Sequence, residues 1–442
     1  MHTYRYSQIL SIAFPILLST LMEQLIGMTD AAFLGRVGEV ELGASALGGI
    51  YYVALFMLGL GFSIGAQILM ARRNGQGLYA EIGNIFYHSL FFLLALGAVI
   101  LGLSHLFSPL VLRNIIQSDA VYEATESYLG WRILGIFFAL ANALFRAFFI
   151  ATTRTRTLTL NSIALVVSNI LFNYTLIFGH FGLPALGIAG AALGSTLAEG
   201  VSLLFFIGYS RRRVPLAHYA LNRLPKFRPG VLRKVLVVGI PVMFQNFLSL
   251  ATWFLFFISV EHLGERYLAA TNIVRNISAF TFMTVVALSS TASTLVSNLM
   301  GAGETESVWP LLRRVIALGF YLLTPVLVLI ALFPLSVMHI FTDDYSLMET
   351  ARAALYVLLS SYVFTIPTQI LLHAVSATGN TRTGFFFECI ALAVYSAYIA
   401  VAIFGMRVSL AWCWASEYVY SVVIFVLCMV YLNGQSWRNK VI

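Results

Sequence analysis

The chain is predicted to be an all-α membrane protein, twelve transmembrane helices in two six-helix bundles related by a parallel pseudo-twofold repeat. Three observations predict this. Of 442 residues 60% are hydrophobic and only 10% charged, with a mean hydropathy of +0.88, whereas soluble domains carry about 25% charge. Apolar runs long enough to cross a bilayer, about 20 residues, recur along the whole chain. A constant shift of 226 residues superposes its two halves.

The runs fall near 7–34, 43–71, 84–112, 122–150, 157–178 and 187–210, then near 235–260, 270–298, 313–341, 352–376, 384–404 and 409–431. In hydrocarbon every backbone polar group must be paired within its own segment, and these runs are too long and too weakly alternating for barrel strands. The first run carries Glu23 and Asp30 and lacks the short apolar core and cleavage site of a signal peptide, so it is predicted to remain as a span. Arg72, Arg73, Arg154, Arg156, Arg211 to Arg213 and Arg438 fall on the side of the N-terminus, which places both termini in the cytoplasm by the positive-inside rule. The basic stretch from Arg211 to Lys234 is the natural linker (211–234) between an N-terminal lobe (1–210) and a C-terminal lobe (235–442).

The repeat holds one register at distant points. Pro15 matches Pro241, Gly38 and Glu39 match Gly264 and Glu265, Gly75 matches Gly301, and Thr155-Arg156-Thr157 matches Thr381-Arg382-Thr383. Because six spans is an even number, the second half enters the membrane the same way up as the first. Two such bundles facing each other are expected to enclose a mid-membrane cleft opened alternately to each side, the plan of a transporter.

Polar residues inside the spans need explaining. Glu23 and Asp30 are seven apart, so they share one helix face, roughly 10.5 Å apart along the axis. Glu199 in span six, Glu388 in span eleven and Glu417 in span twelve are further buried candidates. An ionised group at mid-bilayer costs about 2.5–3.5 kcal/mol, so Glu23, Asp30, Glu199 and Glu417 must face protein or water. Each is read either as packing within the bundle or as cation handling, in which a sheltered carboxyl takes up and releases a proton or helps to ligate sodium. Asn169 and Asn173, one turn apart in span five, are read either as donors of neutral oxygens or hydrogen bonds to the Asp30 carboxyl or as interhelical glue without ion contact. Pro15 and Pro241 are hinge candidates, since each removes a backbone hydrogen bond and permits a bend.

Other classes find no support. Cys389, Cys413 and Cys428 have no metal-ligand spacing, and the histidines are scattered. No phosphate loop, HExxH or nucleophile elbow appears, so no cofactor, no resident metal and no enzyme activity is expected. The net charge of +8 lies between apolar runs, which points to membrane orientation and not to nucleic acid. An aromatic content of 14% and 12 methionines suit varied apolar cations through stacking and cation-π contact.

Local motifs add a resemblance covering essentially the whole chain. MTDAAFLGRVGEVELGA (28–44), GIPVMFQ (239–245), ATGNTRT (377–383), NILFNYTLIFG (169–179) and GIAGAALGST (187–196) resemble the multidrug and toxic compound extrusion (MATE) family. The resemblance implies an antiporter of the inner membrane, a monomer that expels organic cations or drugs while H+ or Na+ returns. In its DinF-like branch the coupling ion sits in the N-terminal lobe, which assigns the role to Asp30 with Asn169, Ser195 or its neighbour Thr196, and Na+ at Asp30 as the alternative to a proton. The family often has an aspartate where this chain has Asn173. Its norfloxacin-exporter branch uses carboxylates at positions that fall near Ser249 and Thr365, neither of them acidic, so the acidic stripe has its weight in the N-terminal lobe, with Glu23 the secondary coupling candidate. Glu199 and Glu417 are substrate-cleft candidates. The alternative function is a flippase for a lipid-linked saccharide, which would want a strongly cationic cleft; within the spans the basic residues are Arg132, Arg146 and Arg275.

Overall fold

In the computed structural model, which describes residues 4–438 and 440, the twelve apolar runs each form a helix, and no strand occurs among the described residues. In chain order these are α1 (Tyr6–Val37), α2 (Glu39–Gly75), α3 (Tyr79–Ile115), α4 (Asp119–Ala151), α5 (Arg156–Phe178), α6 (Gly187–Arg213), α7 (Pro229–Glu261), α8 (Glu265–Gly301), α9 (Thr305–Leu332), α10 (Tyr345–Ala377), α11 (Thr381–Gly405) and α12 (Leu410–Asn433). Several reach beyond their apolar stretch because the flanking polar residues suit a helix end. Glu39 and Glu265 open α2 and α8 at the positive end of the helix dipole, and Asp344 caps α10 by accepting from the amides of Ser346 (2.9 Å) and Leu347 (3.2 Å).

One run needs correction. The ninth, read to residue 341, stops at Leu332: Phe333 leaves the helical region (φ −124°, ψ 52°) and Pro334 starts a separate short helix, Pro334–Met338. Proline cannot donate to the preceding turn but fits a first helical position, so hydropathy runs on where the helix does not. Hydropathy is equally blind to the 3-10 turn Ile133–Gly135 inside α4 and the π-helical turn Ala400–Gly405 that ends α11.

The helices assemble into two compact units, Leu18–Met243 and Met1–Leu17 with Phe244–Ile442. The chain therefore changes unit inside α1 and inside α7, in each case two residues past a proline, Pro15 or Pro241. At 32 and 33 residues these helices are about 48 Å long, enough for each to contribute to both units. Segment 214–228 and the start of α7 belong to the Leu18–Met243 unit, along with α2 to α6.

In that unit α2 crosses the start of α7 at small residues. A β-carbon on Gly61 would lie 2.7 Å from the Met243 Cα, and one on Gly65 would overlap Gly239, so only hydrogen at these positions lets the backbones meet. Antiparallel α5 and α6 are joined by a reciprocal pair: Asn161 Nδ2 donates to the Ser202 carbonyl (2.9 Å) and Ser202 Oγ donates to Asn161 Oδ1 (2.8 Å). Leu34, Ala44, Tyr128, Leu129, Ile177 and Ala192 form a buried cluster bringing α1, α2, α4, α5 and α6 together. In the other unit α8 and α10 are tied by the Thr281 and Tyr362 hydroxyls (2.6 Å) and by Ser297 Oγ donating to the Ala377 carbonyl (2.9 Å), while Trp414 and Phe256 fill the interior.

Candidate functional site

Asp30 sits near the end of α1 in the Leu18–Met243 unit, where α5 and α6 supply its neighbours. Asn173 Nδ2 donates to Asp30 Oδ1 at 2.5 Å, and Ser195 Oγ donates to Oδ2 at 3.3 Å. A second tier holds these donors. Asn169 Nδ2 donates to Ser195 Oγ (3.1 Å), and Asn173 Nδ2 is shared with Asn169 Oδ1 (3.3 Å). Asn169, Asn173 and Ser195 are buried, at 1%, 0% and 6% exposure, and Asp30 is partly exposed. The carboxylate is thus partly exposed and met by fixed donors from α5 and α6.

Local sequence explains the convergence. Asn169 and Asn173 are four apart on α5 and so lie on one face. Gly194 precedes Ser195 on α6, and any β-carbon there would overlap Asn173 Oδ1. This close approach lets α6 lie against α5 so that Ser195 reaches Asp30. The Asn173 Oδ1 atom is buried with no hydrogen-bond partner, an acceptor oxygen beside the carboxylate. With the Asp30 oxygens, Asn169 Oδ1 and Ser195 Oγ, the cluster presents the oxygen donors that a small hard cation or a proton uses.

The other sequence-predicted residues are distributed differently. Thr196 does not join the hydrogen bonds to Asp30 and donates to the Trp131 carbonyl at 3.2 Å. Glu23 is paired with Arg146 of α4 and does not join the Asp30 group, although both carboxylates lie on one helix stripe. Glu199 is paired with Arg132 of α4 (Nη2 to Oε1, 2.7 Å). The Arg132 guanidinium also lies 3.8 Å over the Tyr52 ring, whose hydroxyl donates to Glu199 at 3.4 Å. Glu417 is partly buried on α12 and makes no hydrogen bond or ion pair to another described residue. Pro15 and Pro241 lie inside continuous helices.

The structure adds a second carboxylate cluster, in the Phe244–Ile442 unit. Glu388 of α11 is 1% exposed and accepts from the hydroxyls of Ser249 on α7 and of Tyr420 on α12, the latter at 3.0 and 3.1 Å to its two oxygens. Sequence reasoning placed Ser249 and Glu388 separately and did not join them. The repeat could have done so. Shifting by 226 carries Ser19 and Ser162, whose hydroxyls meet at 2.6 Å, onto Gln245 and Glu388, and carries Glu23 onto Ser249. The acidic residue has moved from one helix of the motif to the other. No group of three or more His, Cys, Asp or Glu side chains that could hold a metal ion occurs among the described residues.

With this geometry in place, comparison with known proteins is informative. The MatE family model matches residues 15–175 and again 241–402, two matches whose starts are offset by the same 226 residues. Similar curated proteins include a probable multidrug resistance protein NorM from Synechocystis, 29% identical over 76% of this chain and 73% of that one. Another of the same description, from Thermotoga maritima, is 25% identical over 85% and 80%. Among solved structures, an outward-facing multidrug resistance MATE family transporter of the MOP superfamily superposes with a TM-score of 0.88 at 18% identity, covering 97% of this chain and 96% of that one. A MOP superfamily transporter from Pyrococcus furiosus also scores 0.88, at 17% identity, covering 98% and 97%. At such identities the structural likeness speaks for the fold.

Proposed function

The chain belongs to the MatE family, and on that premise we propose that it is a secondary active multidrug efflux antiporter, exporting organic, mostly cationic amphipathic compounds in exchange for H+ or Na+ by alternating access. The observation that carries the proposal is the partly exposed Asp30 carboxylate held by Asn173 and Ser195, with Asn169 behind them. A coupling ion needs a group that can be neutral or charged at modest cost, and fixed donors from two neighbouring helices stabilise the charged form, with the Arg132 guanidinium acting on it while bonded to Glu199. Glu23 and Glu199 each have a guanidinium bonded to them, Arg146 and Arg132, whereas Asp30 has none, which leaves Asp30 as the carboxylate to respond to an ion.

In this proposal binding at Asp30 biases the bend of α1, and Pro15 and Pro241 are the hinges because each helix changes unit just beyond its proline. The proposed moving halves are the sequence lobes 1–210 and 235–442, joined by the basic linker 211–234, with the segments of α1 before Leu18 and of α7 before Phe244 exchanged between them as the two compact units have it. The Asp30 arrangement is also the ground for assigning the chain to the DinF-like branch. The protein works as a monomer in the inner membrane, with both termini cytoplasmic, and needs no cofactor. Flipping of a lipid-linked saccharide is disfavoured because two of the basic residues within the spans, Arg132 and Arg146, are already paired with glutamates and offer no free positive charge to a pyrophosphate.

The test is dye efflux in everted vesicles, driven first by a proton gradient and then by a sodium gradient. Asp30→Asn is expected to abolish gradient-driven efflux while the protein stays folded and in the membrane. Efflux by Asp30→Asn equal to that of the parent would remove Asp30 as the coupling group, and the gradient that drives the parent identifies the ion.

A further inference from the structure

A cavity of about 430 Å³ lies in the Leu18–Met243 unit, away from the groups around Asp30. Phe137, Ala141 and Phe145 of α4 line it between α3 and α6, which contribute Leu90 and Leu203. Phe138 and Leu94, 36% and 39% exposed, mark where it opens on the surface of the spans. At one end, the last turn of α6, the lining turns polar with Ser210 and Arg211, and Leu216 and Leu221 of segment 214–228 close it.

That polar end is chemically incomplete. Ser210 is 5% exposed, and its hydroxyl has no hydrogen-bond partner, although buried hydroxyls ordinarily find one. Arg211 is exposed and makes no ion pair with a described residue. The stretch 211–234 holds Arg211, Arg212, Arg213, Arg223, Lys226, Arg228, Arg233 and Lys234 and no Asp or Glu. The groove is built, not loose. Tyr87 Oη donates to the Leu221 carbonyl (2.7 Å), the Arg228 amide donates to His88 Nε2 (2.8 Å), and Gly83 lets the segment lie on α3, since a β-carbon there would overlap the Tyr219 carbonyl.

We propose that this groove is a binding site for one anionic phospholipid, an acyl chain lying along Phe137, Ala141 and Phe145 and a phosphodiester headgroup accepting from Ser210 and pairing with Arg211. An apolar channel ending in a free hydroxyl and a free guanidinium beside a stretch of uncompensated positive charge matches an amphiphile with a negative head. An organic cation would meet repulsion at Arg211, and a zwitterionic lipid would gain little from the surrounding charge. Because Leu216 and Leu221 belong to the segment that leads into α7, the bound lipid braces that segment, and transport is expected to be fastest in membranes containing anionic lipid.

The experiment uses the full chain in nanodiscs of phosphatidylglycerol, phosphatidylcholine or an equal mixture with the same acyl chains, released for native mass spectrometry. One phosphatidylglycerol is expected to be retained in preference to phosphatidylcholine. Arg211→Gln should lower that retention roughly fivefold, the effect of about one basic contact at a membrane surface. Leu90→Trp and Leu203→Trp, which fill the channel, should each abolish it with little change in melting temperature; if either fails to fold, Arg211→Gln still decides. Equal retention of the two lipids, or retention unchanged in Arg211→Gln, means annular lipid only and overturns the proposal. So does displacement of the bound lipid by an organic-cation dye that Arg211→Gln leaves unaffected.

Discussion

Glu23 and Asp30 share one face of one helix, yet their surroundings give them different chemistry. Glu23 is paired directly with Arg146, whereas the groups hydrogen-bonded to Asp30 are neutral and the one guanidinium that acts on it, Arg132, is itself bonded to Glu199. A carboxylate beside a guanidinium is fixed as a charge, whereas one held by amide and hydroxyl groups can change state without stranding a partner. This separates a structural role for Glu23 from a coupling role for Asp30. The Glu23–Arg146 side chains are 39% and 24% exposed, so the pair itself contributes about 0–1 kcal/mol, whereas stranding one partner costs more. Arg146→Leu is expected to lower the melting temperature in detergent by leaving Glu23 uncompensated. Glu23→Leu with Arg146→Leu should recover most of the loss, because replacing both members removes the stranded charge. A double variant as unstable as Arg146→Leu alone would show that packing around Arg146, not its charge, is what matters. Near-parental efflux by the double variant is the matching functional expectation.

At the scale of helices, Pro241 offers the sharper test of movement. It lies inside α7, which serves one unit up to Met243 and the other from Phe244. Proline inside a helix costs about 3 kcal/mol and frees a carbonyl, which is tolerated in membranes where neighbours satisfy it. Pro241→Ala is therefore expected to raise thermal stability and slow efflux several-fold, with dye binding, read by fluorescence quenching, unchanged. Undiminished turnover would reduce the proline to a static kink. The helices themselves were legible because a span must be long, apolar and internally hydrogen-bonded, so hydropathy alone locates all twelve. What escaped is geometry that leaves the composition untouched: the break at Phe333, the 3-10 turn within α4 and the π-helical turn ending α11. The Asp30 site was half legible. Helical spacing put Asn169 and Asn173 on one face, but the departure of Thr196 towards Trp131 depends on how α6 is rotated against α4. Glu388 was hardest to read, because its partners Ser249 and Tyr420 are small or common residues on other helices, and only the register of the repeat points to the first of them.

At the scale of the whole molecule, the described residues hold twelve helices long and apolar enough to cross a membrane, an even number, so the proposed topology puts both ends on one side and rests on the distribution of charge for which side that is. Arg211 to Lys234 joins α6 to α7, while the α5–α6 connection around Phe181 and Gly182 contains no Lys or Arg. Basic connections are retained in the cytoplasm, since moving each cation across is opposed by the membrane potential and by anionic lipids on the inner face. The two connections flank the same helix, so they must lie on opposite sides, and one assignment fixes every other. The native Cys389, Cys413 and Cys428 lie within α11 and α12, where alanine or serine replacements give a background for labelling. In that background Gly182→Cys should react with a membrane-impermeant maleimide added to intact cells, and Lys226→Cys should react only after the cells are opened. The reverse pattern would place the basic stretch outside. The lipid groove would then open towards the outer leaflet, and the ion proposed to bind at Asp30, which lies at the opposite end of α1 from the N-terminus, would enter from the cytoplasm.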